Sequence, residues 1–167
     1  AARAGARPRA LPDSQVVLDT SGPALVQAVA HPIPGLAVLR MDGAEAEALA
    51  GHPLQSRTET ADFAQGLVRR GVARVVVVAR GAEGNLLADA GQRLFATAPA
   101  VQVVSTVGAG DSFVAAFVLA LARGASPAEA LTRGSAAAAA AVMTDATQLC
   151  RREDAERLLT EVRLSTA

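Results

Sequence analysis

Apolar runs that alternate with helix signals organise this chain. Short runs predict strands at 16–18 and 36–39, and the valines of segment 73–79 predict a central strand buried on both faces. Two further runs, at 85–88 and 93–96, flank a glycine in the pattern of a β-hairpin. Strands and helices that follow one another in this way predict an α/β sandwich with a mainly parallel sheet.

A sixth strand is predicted at 101–104, and helices fill the remaining intervals. Their expected positions are about 21–30, 44–50, 56–70, 111–123, 127–141 and 152–162. Ser56 with Glu59, and Ser126 with Glu129, have the spacing of a capping box, in which each side chain satisfies a backbone amide of the other residue. These two capping boxes therefore predict where the helices at 56–70 and 127–141 begin.

Functional residues are expected at the carboxyl ends of the parallel strands, because ligands of open α/β sheets bind in the crevice there. Segments that begin at Asp19, Asp42, Gly81 and Gly108 all follow predicted strands. This edge of the sheet is the predicted location of a site.

Composition limits the kind of ligand that such a site would hold. The chain has 167 residues, 51% of them hydrophobic and 19% charged, which is typical of one globular domain. Basic and acidic residues number 16 each, so no long-range field favours nucleic acid or an anionic membrane, and a phosphate would be bound locally. No apolar run reaches the roughly 18 residues of a membrane span. The single cysteine, Cys150, is interpreted as a small loop thiol in a reducing, cytoplasmic protein.

The strongest local motif is Ser105–Phe113, with the sequence STVGAGDSF. Its two glycines let the backbone approach an anion without an intervening Cβ, and the helix that follows points free N–H groups and a positive dipole end at that anion. Asp111 adds a carboxylate to the same place. Glycine before a helix and aspartate in its first turn are also common where no ligand binds, so the spacing alone leaves both interpretations open.

The motif resembles the signature of PfkB (ribokinase-like) carbohydrate kinases. Three other segments resemble that family in its order and roughly its spacing: LDTSG at 18–22, the turn at 77–84 and the loop at 144–150. The resemblance covers about 16–162 and is greatest to the phosphofructokinases of the family. It implies a ribokinase-like three-layer α/β/α sandwich, truncated at its N-terminus and without the lid.

The resemblance also implies roles for particular residues. Asp111 matches the catalytic base, and the three residues before it match the anion hole: Gly108, Ala109 and Gly110. A turn along the nucleotide corresponds to Ala79, Arg80, Gly81, Ala82, Glu83 and Gly84. Two helix positions near the adenine correspond to Ser135 and Ala139. ATP, Mg²⁺ and a monovalent cation such as K⁺ are the implied cofactors.

Metal sites are implied with several departures from the family pattern. The family's Lys-Pro-Asn-x-x-Glu reads here as RMDGAE at 40–45. Glu45 matches the acid that organises Mg²⁺-bound water, although a solvated helix-terminal acid is an alternative interpretation. Asp42 replaces an amide with a second carboxylate, and Arg40, a nucleotide contact in this comparison, replaces a point charge with a planar fork. Ligands for the monovalent cation correspond to Ser105, Val107, Ala141, Thr144, Ala146 and Gln148.

The resemblance begins partway through the family's sequence. We expect residues 1–15 to be the remnant of a truncated helix plus a loop, and 16–167 to be a nucleotide-binding region of a single partial domain. The implied upstream half carries most sugar contacts and the lid through which family members pair as homodimers. Three hypotheses remain: an ATP-dependent kinase acting on a sugar or sugar phosphate, a non-catalytic nucleotide-binding remnant, and a structural domain.

Overall fold

The computed structural model describes residues 15–146 and 148–167. The predicted helix remnant therefore lies, apart from Gln15, outside the described residues. Within the described part of the chain the strands are β1 (Val16–Asp19), β2 (Leu36–Asp42), β3 (Val75–Ala79), β4 (Gly84–Ala88), β5 (Arg93–Thr97) and β6 (Arg163–Thr166). The helices are α1 (Gly22–Ala30), α2 (Gly43–Ala50), α3 (Arg57–Arg69), α4 (Ala109–Ala122), α5 (Pro127–Val142) and α6 (Arg152–Leu158).

The strands form one sheet whose spatial order follows the sequence, β1 to β6. β1, β2 and β3 are parallel, because the connecting helices return the chain to the end of the sheet at which each strand begins. Short turns connect β3 to β4 and β4 to β5, so these pairs are antiparallel, as is β5 with β6. The sheet is thus mixed, with β1, β2, β3 and β5 running in one direction and β4 and β6 in the other.

Helices cover both faces of the sheet, as the sequence predicted. Val76 and Val78 of β3 pack in the core that includes Leu67 of α3. Val77 points to the opposite face and packs in the core that includes Phe117 of α4. This alternation explains why β3 is a continuous valine run, since both of its faces are buried. The three-layer α/β/α arrangement is confirmed.

Both predicted capping boxes are present. The Glu59 amide donates to Ser56 Oγ at 3.1 Å, and the Ser56 amide donates to the Glu59 carboxylate at 3.0 Å. The corresponding distances at Ser126 and Glu129 are 3.2 and 2.9 Å. None of the helices in the described ranges is long and apolar enough to cross a membrane.

The prediction of a strand at Val101–Val104 is wrong. Val103 and Val104 are 59% and 55% exposed, and the Val104 amide donates to the Val142 carbonyl at the end of α5, at 2.7 Å. β-branched residues favour a strand only where a partner edge is free, and β6 occupies the edge of β5. The segment is therefore a loop that is attached to α5.

The last predicted helix is too long, and β6 was missed. α6 ends at Leu158 instead of Val162, and the chain turns there through a hydrogen bond from the Glu161 amide to the Leu158 carbonyl, at 3.0 Å. β6 then pairs with β5, with Ser165 opposite Phe95. All four residues of β6 are exposed, so no buried face marks this strand in the sequence.

Candidate functional site

The amino end of α4 presents free backbone donors. Gly108 caps this helix with φ 80° and ψ −3°, a left-handed conformation that favours glycine. The Ser112 amide donates to the Gly108 carbonyl at 2.9 Å, which starts the helical hydrogen bonds. The amides of Gly110 and Asp111 donate to no acceptor within 15–146 or 148–167. Two N–H groups and the positive end of the helix dipole are therefore available to an anion.

Asp111 stands in the first turn of α4 with an exposed side chain. Its carboxylate has no hydrogen bond or ion pair with any residue that the structure describes. The carboxylate oxygens are thus free to accept a proton from a bound molecule. Asp111 thus lies in the same helical turn as the free amides, and its role as a catalytic base stays a prediction.

Packing against α5 fixes the start of α4. Phe113 and Phe117 are buried and stacked, with ring centroids 5.5 Å apart. Gly134 of α5 lies against the Phe113 ring: a Cβ at position 134 would be 2.8 Å from Phe113 Cε2. A buried aromatic anchor two residues after Asp111 gives the free amides a defined direction.

The side chain of Arg40 lies across this helix start. Asp19 and Arg40 are register partners at the carboxyl ends of β1 and β2. Arg40 Nη1 is 3.4 Å from both carboxylate oxygens of Asp19. A Cβ on Gly110 would be 3.0 Å from Arg40 Nη1, so the guanidinium lies directly against this glycine. The structure thus brings together two predicted site residues from distant segments, Arg40 and Gly110.

Asp42 and Glu45 form a capping box at the start of α2. The Glu45 amide donates to Asp42 Oδ1 and the Asp42 amide donates to Glu45 Oε2, each at 2.8 Å. The sequence pattern D-x-x-E indicates this box as S-x-x-E does at Ser56, but the predictions for these residues were a metal site and, for Glu45, a solvated helix-terminal acid as the alternative. The described residues hold no cluster of three or more His, Cys, Asp or Glu side chains arranged for a metal. The role in Mg²⁺ binding stays a prediction.

Arg80 fixes the loop between α2 and α3. Its guanidinium donates to the carbonyl of Leu54 at 3.0 Å, to Glu83 Oε1 at 3.0 Å and to the Thr60 hydroxyl. The hydrogen bond from Arg80 holds the pKa of Glu83 below its usual value, and Arg57 acts in the same direction. The side chain of Arg80 is thus occupied by the protein, which the sequence did not indicate.

Comparison with known proteins decides the family. Residues 9–154 match the family described as pfkB family carbohydrate kinase. This chain belongs to the pfkB family. A relative in Mycobacterium tuberculosis, ATP-dependent 6-phosphofructokinase isozyme 2, is 38% identical over 143 residues. A 1-phosphofructokinase of Xanthomonas campestris is 35% identical over 151 residues.

These pfkB relatives are longer than the chain. The match to the M. tuberculosis protein spans 85% of this chain and 41% of the relative, and the match to the X. campestris protein spans 89% and 44%. Crystal structures of Escherichia coli phosphofructokinase-2, one with substrates and products and one with potassium, both superpose with a TM-score of 0.81 at 34% identity. They match 88% of this chain and 47% of that one. The ribokinase-like fold is confirmed, and the chain spans less than half the length of these relatives.

Ser135 and Ala139, predicted to lie near the adenine, are both buried in this pfkB chain. The Ser135 hydroxyl accepts a hydrogen bond from Asn85 Nδ2 at 3.0 Å, which ties β4 to α5. Sequence reasoning assigned no role to Asn85, whose partner is fifty positions away. Neither of the two side chains is exposed, and their place near the adenine stays a prediction.

The two segments predicted to hold a monovalent cation do come together. The Val142 carbonyl accepts from the amides of Val104 at 2.7 Å and Ser105 at 3.2 Å. Thr144 Oγ1 lies 2.8 Å from the Ala141 carbonyl oxygen and 3.2 Å from that of Gln148. The carbonyls of Ser105, Val107 and Ala146 accept no hydrogen bond from another described residue. The start of the first segment therefore lies against the end of α5, and the cation site itself stays a prediction.

Surface cavities occur both beside the predicted site and away from it. A cavity of about 350 Å³ adjoins Thr144, Gln148 and Arg151, beside the predicted cation segments. A larger one, of about 630 Å³, lies at the opposite edge, where Leu36 and Val75 begin β2 and β3. The larger cavity contains none of the predicted site residues, although Arg74 and Asp89 are part of its lining.

Proposed function

We propose that this chain supplies the ATP site, the anion hole and the catalytic base for phosphoryl transfer to a hydroxyl of a sugar or sugar phosphate. The observation that carries the proposal is the amino end of α4, where two free amides adjoin the exposed Asp111 carboxylate and the Arg40 guanidinium. The names of the relatives agree with this reaction class, and a phosphorylated fructose is the acceptor we propose.

Each group has a separate task in the transfer. Asp111 accepts the proton of the acceptor hydroxyl while that oxygen forms a bond to the terminal phosphorus of ATP and the bond to the ADP oxygen breaks. The amides of Gly110 and Asp111 stabilise charge on the transferred group. These donors are fixed before the substrate arrives, because Phe113 and Gly134 hold the helix in place. Little reorganisation is then needed in the transition state.

The residues at the start of α2 fit Mg²⁺. Besides the oxygens used in the capping box, Asp42 and Glu45 each keep one carboxylate oxygen with no partner among the described residues. Mg²⁺ prefers hard oxygen ligands and keeps several waters, so two carboxylates suit it. When bound with ATP, Mg²⁺ neutralises phosphate charge.

We expect nucleotide affinity to depend less steeply on Mg²⁺ after the change Asp42→Asn. Asparagine caps a helix as well as aspartate does, so α2 is preserved while one negative charge is removed. The lost charge weakens attraction for Mg²⁺ and reduces repulsion of the ATP phosphates when Mg²⁺ is scarce. Titrations of ATP binding at several Mg²⁺ concentrations compare the two proteins. An identical Mg²⁺ dependence would show that Asp42 has no metal role.

A monovalent cation fits beside the anion hole. The proposed ligands are carbonyls of the 105–107 loop and of the segment after α5, and hydrogen bonds to Val142 bring these loops together. The E. coli phosphofructokinase-2 structure with potassium supports the choice of K⁺. Pairing of a full-length form through a lid stays a prediction.

Nucleotide binding and phosphoryl transfer test the proposal separately. Calorimetry with ADP and the non-hydrolysable ATP analogue AMP-PNP, in the presence of Mg²⁺, measures the first. A coupled assay with fructose 6-phosphate, fructose 1-phosphate and tagatose 6-phosphate measures the second. Binding with no transfer to any sugar would favour a nucleotide-binding remnant. A folded sample that binds neither nucleotide would favour a structural domain.

A further inference from the structure

The ion pair between Asp19 and Arg40 gives the site a residue with no assigned role. Register pairing of β1 with β2 places Asp19 beside Arg40, so the two side chains leave the sheet on the same face. We infer that Asp19 is a positioning residue, which holds the Arg40 guanidinium across Gly110 so that its remaining donors bind an oxygen of the terminal phosphate. The inference rests on the proposed function of the same site.

The geometry of the pair leaves most of the guanidinium available. Asp19 contacts Nη1 alone, at 3.4 Å from each carboxylate oxygen, and does not form the bidentate pair that arginine and carboxylate often make. Nη2 donates to no described residue. Nε is shielded from solvent and also has no acceptor in the described part of the chain. Nη2 is therefore the guanidinium donor that a ligand oxygen can reach.

The unused Nη2 group lies beside the anion hole. Arg40 Nη2 would lie 3.2 Å from a Cβ at position 110, and the amide of Gly110 is one of the two free donors of α4. The Arg40 side chain is only 16% exposed, so packing also restricts its direction. A phosphate oxygen at the free amides would therefore be within reach of the guanidinium, and the Asp19 contact sets the direction of approach.

A competing explanation makes the opposite prediction. If Asp19 only supplies a negative charge, it repels the nucleotide, and the change Asp19→Asn would tighten phosphate binding through Coulomb interactions. If Asp19 positions Arg40, the same change loosens the guanidinium and weakens binding of the terminal phosphate. The sign of the change therefore distinguishes the two roles.

The test measures dissociation constants of AMP-PNP and ADP, with Mg²⁺, for the parent chain, Asp19→Asn, Arg40→Gln and the double variant. We expect Asp19→Asn to weaken AMP-PNP binding about tenfold, as for partial loss of a charge-assisted hydrogen bond, and to change ADP binding by less than about twofold. In the Arg40→Gln background, Asp19→Asn is expected to have no further effect, because its action passes through Arg40.

Asp62→Asn is the matched control. Asp62 pairs with Arg93 at 2.7 Å, and Arg93 begins β5 at the other edge of the sheet, so an equal loss of charge there is expected to leave both constants unchanged. A parent chain that binds neither nucleotide would contradict the proposed function, and the inference would fall with it. A parent chain that binds, with Asp19→Asn equal or tighter for AMP-PNP, would contradict the inference alone. Additive effects in the double variant would also overturn it.

Discussion

Replacing Asp111 with Asn is expected to lower the rate of phosphoryl transfer by about 10²–10⁴-fold, the usual contribution of a general base. Asparagine has nearly the same shape but does not accept the proton of the acceptor hydroxyl at neutral pH. The free amides of α4 do not depend on this side chain, so nucleotide binding should persist. Because the Asp111 carboxylate is exposed and contacts no described residue, the fold should also be unaffected.

Turnover, AMP-PNP affinity and thermal stability are measured together for this variant. Asp62→Asn serves again as the control. It removes a carboxylate from α3, which packs on the face of the sheet opposite to α4. Turnover of Asp111→Asn within about tenfold of the parent would refute the assignment of the base. A parallel loss of nucleotide affinity would instead indicate that Asp111 contributes to binding.

Local sequence signals predicted the elements whose stability is itself local or fully buried. The valine run predicts the position of β3, because a strand that is buried on both faces contains no polar residue. Ser56 and Ser126 mark helix starts because both partners of each capping box are three residues apart. The GAGD segment predicted the free donors for the same reason, since the conformation of a helix start depends on few residues.

Elements that depend on distant partners were not predicted correctly. β6 exists because β5 offers an edge, and its four exposed residues carry no alternation of apolar and polar positions. The segment 101–104 has strand-forming residues, but it pairs with no strand, and β6 occupies the edge of β5 instead. Strand propensity indicates which residues fit a pleated sheet. Which segment joins the sheet depends on the tertiary structure.

Site residues divide in the same way. Asp111, Gly108 and Gly110 could be predicted from sequence, because all three belong to one short motif. The contact of Arg40 with Gly110 spans seventy residues, and it depends on the register of β1 with β2 and on where α4 starts. The pairing of Asn85 with Ser135 also joins distant segments. Such contacts need the fold before they can be recognised.

The turn that precedes β4 depends on a glycine for both conformation and space. Gly84 has φ 132° and ψ −154°, a region that residues with a Cβ rarely adopt. A Cβ at this position would lie 2.0 Å from the Ala96 carbonyl oxygen and 2.9 Å from the Ala98 amide nitrogen. Both contacts are with backbone atoms, so no side-chain rotation can relieve them. The Gly84 carbonyl also accepts a hydrogen bond from the Arg80 amide at 2.8 Å, which closes the turn.

We expect Gly84→Ala to lower the free energy of unfolding by more than about 3 kcal/mol, because backbone strain and overpacking both act at this position. Gly66→Ala is the matched control: it makes the same chemical change within α3, where a Cβ would meet nothing within 4 Å. Alanine in a helix interior is expected to raise stability there by about 0.5–1 kcal/mol. Urea denaturation followed by circular dichroism gives both values. A loss below about 1 kcal/mol for Gly84→Ala would mean that β4 and β5 separate at little cost, and that the close approach of the Ala96 carbonyl does not determine the residue at position 84.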